Sequence, residues 1–192
     1  MSAGQLLHRT ASPASVITVE KQMTPAQAEL FFELYLEAFG GLHTRAVASQ
    51  VIDRDQFLDQ MTDERVEKFV AWSEDEQPLG LTTLTRHLDT VPWISPQYFL
   101  ARYPDAAREH RVFYLGFTFT RVGRRQYWVL AAMLTEVIQR LKGVSAICGY
   151  DICAFNNDTI RFGDHLELMM KRLADVTVEK IDTQTYYSAT FS

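Results

Sequence analysis

Apolar and polar positions along this chain switch between a period of two and a period of about 3.6, and the switches mark its elements. Val16-Ile17-Thr18-Val19-Glu20 reads as a short first strand. Thr24-Pro25-Ala26-Gln27 predicts a helix start, with Thr24 as N-cap, Pro25 in the first turn and Gln27 completing a capping box. Phe31, Leu34, Tyr35 and Ala38 fall on one face of that helix, which Gly40-Gly41 ends. Asp53-Arg54-Asp55-Gln56 repeats the cap pattern ahead of the apolar face Phe57, Leu58 and Met61. Val66 to Trp72 and Leu79 to Leu84 predict two strands, joined as an antiparallel hairpin by the polar turn Ser73 to Pro78.

Leu88 to Asp105 differs in character. It mixes Pro92, Pro96 and Pro104 with Trp93, Tyr98, Phe99 and Tyr103. Prolines interrupt regular structure while the aromatics favour burial, so the stretch predicts an ordered excursion with one short helix. Val112 to Phe119 is a central strand, apolar on both faces. Tyr127 to Leu141 has the strongest helical pattern, with Leu130, Leu134, Val137 and Leu141 on one face. Val144 to Tyr150 reads as another buried strand, Asn156-Asn157-Asp158 as the cap of a short helix through Leu168, and Val176 to Phe191 as a closing hairpin. Residues 1–15, small and polar, read as a loose tail before a single domain spanning 16–192.

Between the central strand and its helix lies Arg121-Val122-Gly123-Arg124-Arg125-Gln126. A strand, a basic glycine-bearing turn and a helix start together make an anion pocket, because the first helical N–H groups lack internal partners and the dipole there favours negative charge. A phosphate-bearing ligand fits such a pocket. The net charge of −5 argues against a general nucleic-acid binder. No segment reaches the ~18 uncharged apolar residues of a membrane helix. The N-terminal stretch has no apolar run of a signal peptide. Cys148 and Cys153 are the only cysteines, too few for a disulfide framework, and no Cys/His cluster suggests a metal, so a reduced cytoplasmic setting is expected.

The order strand, two helices, hairpin, central strand, helix, strand, helix, hairpin, with a basic turn after the central strand, resembles the GNAT acyltransferase superfamily, the N-acetyltransferase fold. The likeness spans roughly Val16 to Phe191. It implies an α/β (α+β) fold: a mixed, mostly antiparallel central sheet flanked by about four helices. It also implies transfer of an acyl group, acetyl above all, from acetyl-CoA or another acyl-CoA to an amine of a small-molecule or peptide acceptor. In the family, backbone N–H groups of a loop written Arg/Gln-x-x-Gly-x-Gly/Ala hold the pyrophosphate. Here the aligned residues are Val122, Gly123, Arg124, Arg125, Gln126 and Tyr127. Val122 stands where Arg or Gln is usual, and Arg125 and Tyr127 replace the motif glycines. Either the arginines supply charge-assisted contacts in place of backbone ones, or the donor is an acyl carrier protein, whose acidic surface would suit an arginine pair. A non-catalytic binding module is the rival reading.

The resemblance further implies a backbone N–H near a bulge, around Phe117 to Phe119, that polarises the thioester carbonyl. It implies Asn156 or Asn157 as a contact to the pantetheine arm. The family's general-acid Tyr has no counterpart, since Gly163 and Asp164 hold its place. Candidates for proton transfer are therefore Tyr150 and Asp151 at the end of the fifth strand, Tyr114 on the central strand and His87 at the mouth of the excursion. Trp93, Tyr98 and Phe99 of the excursion are expected to wall the acceptor pocket. Exposed aromatics there would equally serve a homodimer interface.

Overall fold

A computed structural model describes residues 16–47, 51–123 and 126–191. Five strands, β1 (Val16–Glu20), β2 (Val66–Trp72), β3 (Pro78–Thr85), β4 (Val112–Thr120) and β5 (Ile147–Gly149), form one sheet in that order. All neighbours are antiparallel except β4 and β5, which run parallel. Between β1 and β2 stand α1 (Pro25–Phe39) and α2 (Arg54–Thr62). Both open on the capping boxes legible in the sequence: Thr24 Oγ1 accepts from Gln27 N at 3.3 Å, and Asp53 Oδ1 accepts from Gln56 N at 2.8 Å. In each, the Gln side chain returns to the cap's own N–H.

Alternation along β2 and β3 assigns the two faces of the sheet. Val70 and Leu81 lie under α1 and α2, with Phe31, Leu34, Tyr35, Phe57 and Met61. Phe69 and Leu84 point the other way, toward Leu134 and Val137 of α5 (Gln126–Lys142) and Leu166 of α7 (Phe162–Leu173). Strand β4 does not keep one facing. Phe113 and Leu115 join the α5 side, whereas Phe117 and Phe119, which the same two-residue period would place with them, pack under α1. The register explains the reversal. Leu84 pairs with Leu115 and Thr82 with Thr118, so two β4 residues, Gly116 and Phe117, oppose Thr83 alone. This is a β-bulge, and one extra residue turns every later side chain to the other face.

Several sequence expectations change. Seven helices flank the sheet among the described residues, not about four. The proline-rich excursion holds two short helices, α3 (Pro96–Arg102) and α4 (Pro104–Arg108), because Pro104 both ends one and can open the next. Strand β5 is confined to Ile147–Gly149, shorter than Val144 to Tyr150, since its ladder with β4 stops at Tyr114↔Gly149. The helix expected from Asn156 begins at Ala154 and breaks at Arg161, whose backbone is left-handed (φ 51°), giving α6 (Ala154–Ile160) and then α7. Residues 174–191 form no hairpin. They run without regular structure and are held over α3 by Tyr98, whose hydroxyl donates to the Ile181 carbonyl, and by the Arg102–Glu179 ion pair.

Candidate active site

Strands β4 and β5 are paired only from Val112 to Tyr114 and then diverge. The opening is a cleft of about 210 Å³ through the sheet. Leu115, Gly116, Phe117 and Thr118 of β4 line one edge, and Tyr150, Asp151, Ile152 and Cys153 line the other. Tyr35, Phe39, Leu42 and Ile52 close it on the α1 face, and Ile160, Phe162 and Leu166 close it on the α7 face. The bulge therefore sits at the edge of the cleft, where a strand distortion re-aims backbone groups away from the ladder. It lies at Gly116–Phe117. Phe119, expected in the same region, is regular ladder opposite Leu81 and is buried in the α1-side core.

The α1-side wall is an aromatic cluster. Phe117 stacks on Phe57 with centroids 5.4 Å apart and meets Tyr35 at 5.3 Å. The Tyr35 hydroxyl accepts from the Ile52 N–H at 2.9 Å, tying the segment before α2 to α1. Burial pushes the Tyr35 pKa above the ordinary phenol value. Sequence reading missed Tyr35 and Phe39 as cleft residues, because an i, i+4 apolar pair on a helix carries the same signal whether it faces a core or a cavity.

Of the four proton-transfer candidates, Tyr150 and Asp151 line the cleft. Tyr150 is half-buried and packs on the α7 side, and burial, then the neighbouring Cys148 and Glu167, raise its hydroxyl pKa. Tyr114 is buried at the last paired position, short of the cleft, and donates its hydroxyl to Asp151 Oδ1 at 2.5 Å. Burial, then the Asp151 charge, push its pKa well above the ordinary range, so it is a fixed donor and not a proton source. His87 does not line the cleft. It lies beyond Thr85, which pairs with Tyr114, and so at the closed end of the β4–β5 pair.

The excursion reaches the cleft through one residue. Trp93 lines it and donates Nε1–H to Asp151 Oδ1 at 3.2 Å. Phe99 lies instead on the closed half of the β4–β5 pair, edge-on to Tyr114 with centroids 5.9 Å apart. Gly149 makes this possible, since a Cβ there would stand 2.6 Å from the Phe99 ring. Tyr98 is turned to the C-terminal segment. These two side chains thus lie away from the open end, Phe99 packed with Leu88, Val91 and Val112 and Tyr98 bonded to the Ile181 carbonyl.

In the turn after β4, Val122 and Gly123 are exposed, and nothing stands within 4 Å of a Cβ at Gly123. Arg124 and Arg125 lie outside the described residues. Gln126 opens α5, and its N–H donates to the Gly123 carbonyl at 3.2 Å. Tyr127 and Trp128 are 69% and 63% exposed and leave the cleft open. Asn156 of α6 lines it, beside Cys153. Both cysteines are free. Among the described residues no group of three His, Cys, Asp or Glu side chains is placed to hold a metal ion, and no helix is long and apolar enough to cross a membrane.

No family model matches the chain, and no curated protein matches it in sequence. Solved structures do match in shape. An aminoglycoside 6'-N-acetyltransferase from Acinetobacter baumannii superposes with a TM-score of 0.53 at 10% identity, over 93% of this chain and 100% of its own. An aminoglycoside acetyltransferase from an uncultured soil metagenomic sample, solved with sisomicin, gives 0.50 at 12% identity, over 91% and 97%. A ribosomal-protein-alanine N-acetyltransferase from Brucella melitensis gives 0.50 at 11% identity, over 90% and 99%. Identity this low speaks to architecture alone. The likeness is one of shape: this chain, with five mostly antiparallel strands, a bulge in the fourth and helices on both faces, has the GNAT acetyltransferase fold.

Proposed function

We propose that the protein is a GNAT-type acyltransferase that moves an acyl group, acetyl above all, from a coenzyme A thioester to an amine by direct attack. The observation that carries this reading is the open cleft between β4 and β5, with a backbone bulge on one edge and a protonated tyrosine, Tyr150, on the other. The bulge at Gly116–Phe117 supplies backbone N–H groups toward the thioester carbonyl, where negative charge develops during attack. The amine nitrogen bonds to the carbonyl carbon and the C–S bond breaks. The departing thiolate takes the Tyr150 hydroxyl proton, and the proton shed by the nitrogen returns to Tyr150 through solvent. Burial weakens this hydroxyl as an acid but keeps it protonated at neutral pH, so it holds the proton that the thiolate takes.

Asn156, which lines the cleft, is assigned a contact to the pantetheine arm. The turn Val122, Gly123, Arg124, Arg125, Gln126 and Tyr127 is assigned the pyrophosphate, with the arginines replacing contacts that glycines usually allow. The rival, a non-catalytic module, would be favoured by a gap filled by Tyr127 or Trp128. Their exposure weighs against it. Calorimetric titration with coenzyme A and acetyl-CoA tests the reading, followed by thiol release across a panel of amines. Saturable micromolar binding and amine-dependent release are expected. Binding of neither thiol compound would overturn a coenzyme A donor, and binding without release on any amine would favour the module.

A further inference from the structure

The cleft has one charged side chain among the described residues that line it, Asp151. Its setting is specific. Oδ1 accepts both from Tyr114 Oη, which is buried, and from Trp93 Nε1, so the carboxylate is oriented by two rigid aromatic donors from separate elements. Both donors are neutral. No cation stands within ion-pair distance of Asp151 among the described residues. Asp151 is exposed to solvent and lines the cleft. A carboxylate fixed in place, left without a cation and facing a cavity is an ammonium receptor by charge complementarity.

The rest of the α1-side wall says what the ammonium is attached to. Tyr35, Phe39, Leu42, Ile52 and Phe117 present rings and alkyl groups, and the Tyr35 hydroxyl already accepts from the Ile52 N–H. A polycation or a polyhydroxylated sugar would leave most of its polar groups against this wall without partners, which is strongly unfavourable. We infer that Asp151, oriented by Trp93 and Tyr114, binds the ammonium of the acceptor, which gives one proton to solvent before its nitrogen attacks, and that the acceptor is a primary amine with one positive charge on an apolar body. This rests on the acyl-transfer reading for the word acceptor, and extends it to the substrate class. Asp151 is a binding residue, and Tyr114 and Trp93 are positioning residues.

The test is calorimetric, on the full chain, with and without coenzyme A. The probes are 2-phenylethylamine, its neutral counterpart 2-phenylethanol, and kanamycin as a polycation. The amine is expected to bind at least tenfold more tightly than the alcohol and than kanamycin. Asp151→Asn should lower amine affinity at least tenfold and leave the alcohol unchanged. Tyr114→Phe and Trp93→Phe should each lower amine affinity severalfold through a looser carboxylate, an effect that a merely structural role would spread equally to the alcohol. Equal affinity for amine and alcohol in the unaltered protein would overturn the inference whether or not the variants fold. So would unchanged amine binding in Asp151→Asn, or tighter binding of kanamycin. Acetyl-CoA binding with no amine binding sinks this inference alone. Amine binding at Asp151 without any response to acetyl-CoA leaves the ammonium site standing and removes the acyl-transfer reading.

Discussion

The hydroxyl of Thr83 on β3 occupies the space that a side chain on Gly116 of β4 would need. Glycine at this position lets the strand carry its extra residue without pushing the sheet apart, and so holds the bulge at the cleft edge. Gly116→Ala should therefore destabilise the protein by about 1–3 kcal/mol, as overpacking of a close contact does. It should also lower acyl transfer more than it lowers the melting temperature would suggest. Because the clash is with Thr83 Oγ1, the double variant Gly116→Ala with Thr83→Ala should regain much of the lost stability. Denaturation of the two proteins side by side decides the matter: equal stability of single and double variants would remove the contact as the cause.

Tyr150→Phe deletes the proposed proton donor and leaves the ring that packs on the α7 side. Turnover is expected to fall by about 10²-fold, a typical worth of a positioned general acid, with little change in the KM for the thioester. The pH profile separates chemistry from packing. With its pKa raised, Tyr150 should place the alkaline limb of kcat above the ordinary phenol range, and that limb should vanish in the variant. A variant that keeps full turnover with an unaltered pH profile would clear Tyr150 of the role.

Lys68 predicts a pH dependence of stability. It is fully buried on β2, where Nζ donates to the carbonyls of Lys21 at 2.7 Å and Asp63 at 2.6 Å. Burial pushes its pKa from 10.5 down to about 8. Between those two values the unfolded chain holds more protons than the native one, so the Lys68 contribution rises with pH across that window, by at most about 1.4 kcal/mol per pH unit. Cys148 works in the opposite sense. Burial pushes its thiol from 9.0 up to about 12, so its contribution is lost as pH climbs past 9.0. Tyr35, Tyr114 and Tyr150, all raised, add to that loss above pH 10. Denaturant titrations should find stability rising between about pH 8 and 9, levelling between 9 and 10 where the two contributions offset, and declining above pH 10. Lys68→Met should abolish the rise, and Cys148→Ala should soften the decline. Parallel profiles for the unaltered protein and Lys68→Met would exclude this account.

The basic turn carries a prediction that comes from the sequence alone. Arg124→Glu combined with Arg125→Glu should weaken binding of coenzyme A or its thioesters at least tenfold, since two like charges would then face the phosphates. Undiminished affinity would take both residues out of the anion site.

What the sequence determined by itself was local or repetitive. Thr24/Gln27 and Asp53/Gln56 announce two helix starts because a capping box closes over three residues, with no help from the rest of the chain. The hairpin of β2 and β3, the central strand and the helix behind the basic turn follow from period and punctuation in the same way. Tertiary structure decided what depends on partners distant in the chain. The reversal of Phe117 and Phe119 is invisible in Phe113-Tyr114-Leu115-Gly116-Phe117, because a bulge exists only relative to a neighbour, here Thr83. The cleft depends on where the β4–β5 ladder stops, and the alternation of Val144 to Tyr150 does not encode that point. The excursion's aromatics favour burial by their chemistry, but Trp93 and Tyr98 stay exposed, and only packing against Gly149 and Tyr114 sent Phe99 to the closed half and left Trp93 at the opening. Residues 176–191 have strand-like composition but find no ladder among the described residues, and composition alone cannot supply the partner a strand needs. Asp151 was one acidic residue after a strand. It became a candidate receptor only when residues 58 positions before it and 37 positions before it, Trp93 and Tyr114, were brought to the same oxygen.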